Sequence, residues 1–127
     1  MKKERIVEYV YRNSTRNSLE RGRHLYLHNK VKKIEEHSNY IKASVQGTTM
    51  YSVFIYFDET KNLITSTECS CPYNYGGICK HKIATLYKYS SIIKEHRNPF
   101  LKEHFASEWF LIAAENNFSV KKINENF

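Results

Sequence analysis

The sequence predicts an α+β fold in which a small antiparallel β-sheet and a cysteine-rich turn are flanked by helices. Apolar residues recur at helical spacing near the N-terminus and after position 79, and they alternate with the period of strands between positions 31 and 57. The three cysteines fall between the strands and the later helix. A chain of 127 residues that is 41% hydrophobic is long enough for one domain with a modest core.

The N-terminal segment is predicted to be helical and basic. Ile6, Val7 and Val10 fall on one side of a helix over residues 4–12, and the polar stretch NSTRNS interrupts that pattern. The next stretch, SLERG, has the form of a capped helical turn that Gly22 ends. The pattern fits one interrupted helix or two separate helices, and both alternatives stay open.

From Arg23 onward the pattern predicts a run of strands. Leu25 and Leu27 alternate with their neighbours, which predicts a first strand over residues 23–28. Four further strands are predicted over residues 31–37, 40–46, 50–57 and 63–67, and the short turns between them favour an antiparallel meander. Because residues 50–57 are apolar on both sides, that strand is expected to be central and covered on both faces.

Two helices are predicted after the cysteines. The first covers residues 79–95, and its inner stripe includes Ile83 and Leu86. Asn98 and Pro99 suit the start of a second helix, which extends to about residue 116 and is apolar over more than one narrow face. That helix either packs between other elements or is partly offered to a partner.

The charge of the chain is concentrated at its N-terminus. Residues 1–33 hold ten Lys and Arg against three Glu, so the whole net charge of +7 lies there. Such a block of positive charge attracts polyanions, of which nucleic acid is the first candidate. The alternative, which stays open, is a solvated basic helix that only aids solubility. No stretch approaches the roughly 20 apolar residues that span a bilayer, and the charged N-terminus does not resemble a secretory signal. A cytoplasmic location without membrane contact is therefore expected.

The cysteines and one histidine form the pattern C-x-C-x7-C-x-H at Cys69, Cys71, Cys79 and His81. Three thiolates and an imidazole are a standard set for one structural Zn²⁺, and a site with four protein ligands leaves no position for a reacting water. A thioredoxin-like redox pair needs C-x-x-C, and a catalytic Cys–His couple would leave two cysteines without a role. The pattern therefore predicts a non-catalytic metal site. The remaining histidines have no metal-ligand spacing (His24, His28, His37, His96 and His104).

The cysteine motif, its CKHKIA ending and the β-rich segments RGRHLYLHNKVKKIE and IKASVQGTTMYSVFIYFD resemble the SWIM zinc finger. The resemblance covers about residues 22–89, and this family includes modules at the N-terminus of Swi/Snf-type helicases. It implies a ββα finger with one structural zinc ion, used for DNA binding or protein contact rather than catalysis. The predicted organisation is a basic helical segment (1–21), a SWIM-type domain (22–95), and a C-terminal helix and tail packed on or beside it (96–127).

Two functions follow as hypotheses. The first is binding of nucleic acid, DNA favoured, with weak sequence preference. Aromatic rings stack on unpaired bases while basic side chains hold phosphates. The candidate contacts are Tyr73, Tyr75, Lys80, Lys82, Lys88, Arg12, Arg16, Arg21, Arg23, Lys32 and Lys33.

The second function is that of an interaction, adaptor or inhibitor module, acting through the apolar C-terminal helix. Its alternative is simple packing of that helix on the core. The chain has no G-x-x-x-x-G-K-[ST] phosphate loop, so we expect either a stand-alone small protein or a protein that works with a helicase motor on another chain.

Overall fold

The structure is a computed structural model that describes residues 1–73 and 76–93, and the backbone of residues 121 and 122. Three helices and five strands lie in these ranges. In chain order they are α1 (Lys3–Asn13), α2 (Arg16–Leu27), β1 (Val31–Glu36), β2 (Tyr40–Gln46), β3 (Met50–Asp58), β4 (Leu63–Cys69), α3 (Lys80–Ile92) and β5 (Lys121–Lys122).

The strands form one sheet in the order β4-β3-β2-β1-β5. The first four pair antiparallel as a meander, which confirms the predicted α+β class and the central position of β3. The two-residue strand β5 adds a parallel pairing at the edge of β1, where Glu35 and Glu36 lie opposite Lys121 and Lys122. This pairing was not predicted, because two residues carry no periodic signal.

Helix α3 lies at the centre of the fold. It packs against one face of the sheet, while α1 and α2 pack against its other sides. Ten of its residues are buried, so the helix buries more of its surface than the single inner stripe that the sequence predicted. The hydroxyls of Thr85, Ser90 and Ser91 donate to backbone carbonyls within the helix, at 2.9, 2.9 and 2.6 Å, which satisfies these buried polar groups.

The two faces of β3 differ in their environment. Val53, Ile55 and Phe57 point toward the helices and are buried. Phe54 and Tyr56 lie on the opposite face, where both are half-buried. Their rings lie 6.3 and 5.5 Å from the ring of Tyr40 on β2. The strand is therefore apolar on both sides, as predicted, but only one side is fully covered among the residues that the structure describes.

The strand predicted over residues 23–28 is wrong, because α2 continues through this segment to Leu27. The N-cap of this helix is Thr15, whose side-chain oxygen accepts a hydrogen bond from the backbone N–H of Ser18 at 3.2 Å. Ser18, Gly22 and Tyr26 are then buried at intervals of four residues, on the side that packs against α3. Burial of these three residues stabilises the helix more than the short alternation of Leu25 and Leu27 favours a strand. The polar break lies between two separate helices, and the predicted boundary at residues 21 and 22 falls inside α2.

The sequence predicted that Gly22 ends a helix, but Gly22 lies inside α2 and allows α2 and α3 to approach closely. A β-carbon on Gly22 would lie 2.5 Å from Cγ2 of Ile83 and 3.0 Å from the carbonyl oxygen of Lys80. The space that a side chain would need is therefore filled by α3.

We expect Gly22→Ala to destabilise the protein despite the higher helix propensity of alanine. Alanine gains about 1 kcal/mol in a helix interior, whereas overpacking of a core costs about 1–3 kcal/mol. A net loss of about 1 kcal/mol or more should appear as a lower urea midpoint. Gly76→Ala is the matched control, since no atom of the described residues, apart from its chain neighbours, lies within 4 Å of its β-carbon position. An unchanged or higher midpoint for Gly22→Ala would contradict the close approach.

The second C-terminal helix, predicted over residues 98–116, lies outside the described residues. The interaction hypothesis that depends on it therefore stays a prediction. Within the described part of the chain, no helix is both long enough and apolar enough to cross a membrane.

Candidate metal centre

The four donor residues of the C-x-C-x7-C-x-H motif come together at one end of the sheet. Cys69 is the last residue of β4, and Cys71 follows two positions later. Cys79 is the N-cap of α3, and His81 lies in its first turn. All four ligand atoms lie within 4.8 Å of one another, and Sγ of Cys69 is 3.8 Å from Nδ1 of His81.

The start of the connecting loop is held by strand β3. Cys69 lies opposite Val53 in the β3–β4 ladder. One residue further, the backbone N–H of Ser70 donates to the carbonyl of Ser52, and the N–H of Ser52 donates to the hydroxyl of Ser70, both at 3.0 Å. These bonds fix the chain between Cys69 and Cys71 on the end of β3.

The end of the loop is held by the two N-terminal helices. The N–H of Ile78 donates to the carbonyl of Asn13, the last residue of α1, at 2.8 Å. Gly77 approaches the same carbonyl with a φ of +77°, a conformation that glycine adopts without strain. The hydroxyl of Tyr73 donates to the carbonyl of Gly76 at 2.7 Å and lies 3.1 Å from the hydroxyl of Ser18 on α2. The metal loop is thus docked on α1 and α2.

The sulfur atoms lie close enough to share protons when no metal is bound. The pKa of the Cys79 thiol is held well below its usual range, because its sulfur accepts hydrogen bonds from the Cys69 thiol and the His81 ring. The backbone N–H of Lys82 also favours the Cys79 thiolate. The pKa of Cys69 is raised in turn by its hydrogen bond to Cys79 and by burial. The hydrogen-bonded Cys69–Cys79 pair therefore favours one thiolate, which a cation can bind.

The residues fit one structural Zn²⁺. With Zn–S bonds of about 2.3 Å and Zn–N bonds of about 2.0–2.1 Å, the donors of a tetrahedron lie about 3.5–3.8 Å apart, so these donors need to close by about 1 Å or less. None of the three cysteines is in a disulfide. Nδ1 of His81 faces the sulfur of Cys69, so this nitrogen is placed to bind the ion. When bound, zinc joins the end of the sheet to the start of α3.

The fold and the donor set define a small zinc-binding module, in which the four donors join the end of β4 to the start of α3. Residues 51–90 match the family model of the SWIM zinc finger. This match confirms the resemblance found in the motif, and it covers β3, β4, the metal loop and most of α3. No curated protein and no solved structure gives a significant match to the chain.

Six of the predicted nucleic-acid contacts are exposed on the N-terminal elements and β1. Some have acidic neighbours: Arg12 lies 4.0 Å from Glu8, and Arg16 lies 3.9 Å from Glu20. These pairs are solvent-exposed and therefore weak. The six exposed residues are Arg12, Arg16, Arg21, Arg23, Lys32 and Lys33.

The predicted contacts around the metal loop have differing environments. Lys80 is half-buried at the start of α3, and Lys82 donates from Nζ to the carbonyl of Thr67 at 3.2 Å. Tyr73 is half-buried and bonded within the loop, rather than displayed from it. Tyr75 lies outside the described residues.

Lys88 is buried in the core, with only 1% of its surface exposed, so the expected contact with nucleic acid does not fit its position. Its ammonium lies 5.8 Å from the centre of the Tyr26 ring. Burial lowers its pKa from 10.5 to about 8. The reason for its position is that α3 is covered on nearly all sides, so a residue outside the apolar stripe is still enclosed.

We expect Lys88→Met to stabilise the protein at pH 7, because burial of a charged ammonium opposes folding. The folded protein loses this proton near pH 8, whereas the unfolded chain keeps it up to about pH 10.5. The Lys88 protein therefore gains stability as the pH rises through this window, and the advantage of Lys88→Met should shrink. Urea midpoints of both proteins at pH 7 and pH 10 measure this difference. An advantage that is absent at pH 7, or that does not shrink, would contradict the burial of the charge.

Sequence reasoning missed the role of Tyr51 at this centre. Its ring lies 4.3 Å from the ring of His81, and its hydroxyl lies 3.0 Å from Oγ1 of Thr48 in the β2–β3 turn. The strand alternation places Tyr51 on the helix side of β3, but it does not indicate that the start of α3 is its neighbour.

Proposed function

We propose that this protein is a non-catalytic nucleic-acid-binding module, with DNA favoured, in which zinc holds the binding surface in shape. The observation that supports it best is the concentration of basic residues on α1, α2 and β1, where seven Lys and Arg side chains are exposed (Arg5, Arg12, Arg16, Arg21, Arg23, Lys32 and Lys33). The rest of the chain, residues 34–127, carries ten basic and ten acidic residues and is neutral. Binding would therefore be directed to these N-terminal elements.

The connection between the zinc loop and the basic helices supports a shared role. The loop docks on α1 through the Ile78–Asn13 hydrogen bond and on α2 through Tyr73 and Ser18. Zinc thus acts on the position of the basic helices as well as on α3. Four protein donors saturate a tetrahedral zinc ion, so the metal has a structural role. Three thiolate ligands also suit a reducing compartment, which favours the cytoplasm.

The binding is expected to depend strongly on salt and weakly on sequence. Basic side chains that neutralise phosphates release counterions, so the logarithm of the affinity falls linearly with the logarithm of the salt concentration. Fluorescence anisotropy with labelled single- and double-stranded 20-mers of two unrelated sequences, from 50 to 300 mM salt, measures this slope. Each of Arg12→Ala, Arg16→Ala and Lys32→Ala should make the slope shallower by about one counterion or less.

Lys61→Ala is the matched control for these variants. Lys61 is exposed in the β3–β4 turn, outside the basic segment, and its loss changes the net charge equally. It should leave the slope nearly unchanged. Absence of binding at 50 mM salt would end the proposal, and binding without salt dependence would contradict its electrostatic basis.

A further inference from the structure

A pocket of about 470 Å³ lies beside the metal centre. Its walls come from α2, the β2–β3 turn, the metal loop and the first turn of α3. We propose that this pocket receives one nucleotide unit of the nucleic acid, with the phosphate group at the start of α3. This inference rests on the proposed function and assigns that function a specific site. The lining residues that carry it are Ser18, Arg21, Thr48, Tyr51, Tyr73 and Lys80.

Positive charge in the pocket comes from three sources. Arg21 reaches it from α2, and Lys80 reaches it from the first position of α3. The N-terminus of a helix adds backbone N–H groups and the positive end of its dipole, and α3 has 13 residues and no acidic side chain in its first turn. Three thiolates leave a zinc centre at a charge of −1. The two side chains and the helix terminus exceed that charge and favour an anion.

His81 provides an independent indication of a ligand. The side chain is 4% exposed, and its Nε2 has no hydrogen-bond partner among the residues that the structure describes. Nδ1 faces the metal donors, so Nε2 carries the second N–H, which a metal-bound histidine normally donates to an acceptor. Nε2 is 3.2 Å from the position that a β-carbon on Gly47 would occupy, and the ring of Tyr51 lies 4.3 Å from the His81 ring, so the two pocket-lining residues Gly47 and Tyr51 enclose this atom. A phosphate oxygen on this side of the pocket supplies the acceptor.

The size and the remaining walls of the pocket favour a nucleotide over a bare phosphate ion. Pockets for small organic ligands begin at about 300 Å³, and a single phosphate fills only a small part of such a space. Tyr51 and Tyr73 provide aromatic surface for a sugar or base, and the hydroxyls of Ser18 and Thr48 provide polar contacts. The chemistry is therefore that of a phosphate ester with a ring attached.

The test uses the zinc-loaded full chain, labelled with ¹⁵N, and three small probes. Deoxythymidine 5′-monophosphate should shift the amide signals of Gly47, Thr48, Lys80 and His81 in a saturable way. Thymidine without phosphate should bind about tenfold more weakly or worse, because it lacks the charge-assisted hydrogen bonds. Inorganic phosphate should shift the same signals with lower affinity than the nucleotide.

Variants of the two basic side chains connect the pocket to nucleic-acid binding. Arg21→Ala and Lys80→Ala should each weaken binding of the mononucleotide and of a single-stranded oligothymidine about tenfold. Lys61→Ala, with the same change of charge, should have little effect on the mononucleotide. Zinc content and circular dichroism of each variant establish that the fold is retained.

Each outcome separates the pocket from the wider proposal. Mononucleotide shifts that lie elsewhere, or equal affinities for Arg21→Ala, Lys80→Ala and Lys61→Ala, would overturn the inference. Inorganic phosphate that binds as tightly as the mononucleotide would overturn its nucleotide part. Oligonucleotides that bind both pocket variants normally would refute the pocket and leave the proposed function standing. A pocket that binds the mononucleotide in a protein that binds no oligonucleotide would refute the proposed function instead.

Discussion

Cys79→Ser is expected to abolish zinc binding and to unfold the centre of the domain. Serine is a favourable N-cap residue, so the substitution should not weaken the start of α3, while the metal loses one of its three sulfur ligands. Structural zinc binding contributes about 10–16 kcal/mol in small zinc domains, which matches or exceeds the whole stability of a typical domain, about 5–15 kcal/mol. Zinc content by elemental analysis should fall from one ion per chain to near zero, and the cooperative thermal transition should be lost.

Two controls assign this effect to the metal. Excess chelator added to the unmodified protein should reproduce the unfolding of Cys79→Ser, because both remove the same ion. His81→Ala should behave like Cys79→Ser, whereas His28→Ala, an exposed histidine at the end of α2, should keep its zinc. Full zinc stoichiometry in Cys79→Ser or His81→Ala would show that the donor set is wrong.

Gly77→Ala is expected to be the most damaging substitution outside the four donors. A β-carbon there would clash with the carbonyl oxygen of Asn13, which is backbone and cannot rotate away. The φ of +77° adds strain of about 1–2 kcal/mol for any residue with a β-carbon. Together with an overpacking cost of about 1–3 kcal/mol, the urea-unfolding free energy of the zinc-loaded protein should fall by about 2–5 kcal/mol.

Gly76→Ala separates this effect from a general sensitivity of the loop. It is the adjacent glycine, its φ is not in the left-handed region, and its β-carbon position is open with respect to the part of the chain that the structure describes. The same unfolding free energy for both variants would mean that the loop does not dock on α1. A large loss for Gly77→Ala alone would support the coupling between the metal loop and the basic helices on which the proposed function depends.

The sheet could be predicted well from the sequence because each strand has a clear period. Ile41, Ala43 and Val45 alternate with polar residues, and the structure buries all three on the helix side of β2. The predicted bounds of β2 agree with the observed bounds, and β1, β3 and β4 agree within two residues at each end. A period of two identifies such strands without knowledge of the tertiary fold.

The second helix could not be predicted in the same way, because its signal is tertiary. Its buried residues include Ser18 and Gly22, neither of which is apolar enough to mark a helix face. Gly22 appeared to be a helix end because glycine often has that role. Only the position of Ile83 on another helix explains why glycine is needed in the middle of α2.

The metal donors could be predicted from spacing, whereas their surroundings could not. Cys69, Cys71, Cys79 and His81 are close in sequence, and their chemistry limits the alternatives. The burial of Lys88 and the hydrogen bond between Tyr73 and Ser18 depend on α2, which lies more than 50 residues earlier in the chain. The local sequence pattern predicts that Lys88 and Tyr73 lie on the surface, because this pattern contains no information about which residues α2 covers.

The central position of α3 makes zinc affinity a property of the whole core. The helix that provides Cys79 and His81 also provides Ile83 and Leu86 to the interior, so the ion and the packed core order the same segment. By thermodynamic reciprocity, a change that strengthens the core of a chain that folds with its metal also tightens its hold on the ion. A stabilising core substitution such as Lys88→Met, with no contact to the metal, should therefore lower the free zinc concentration at which half of the chains are folded.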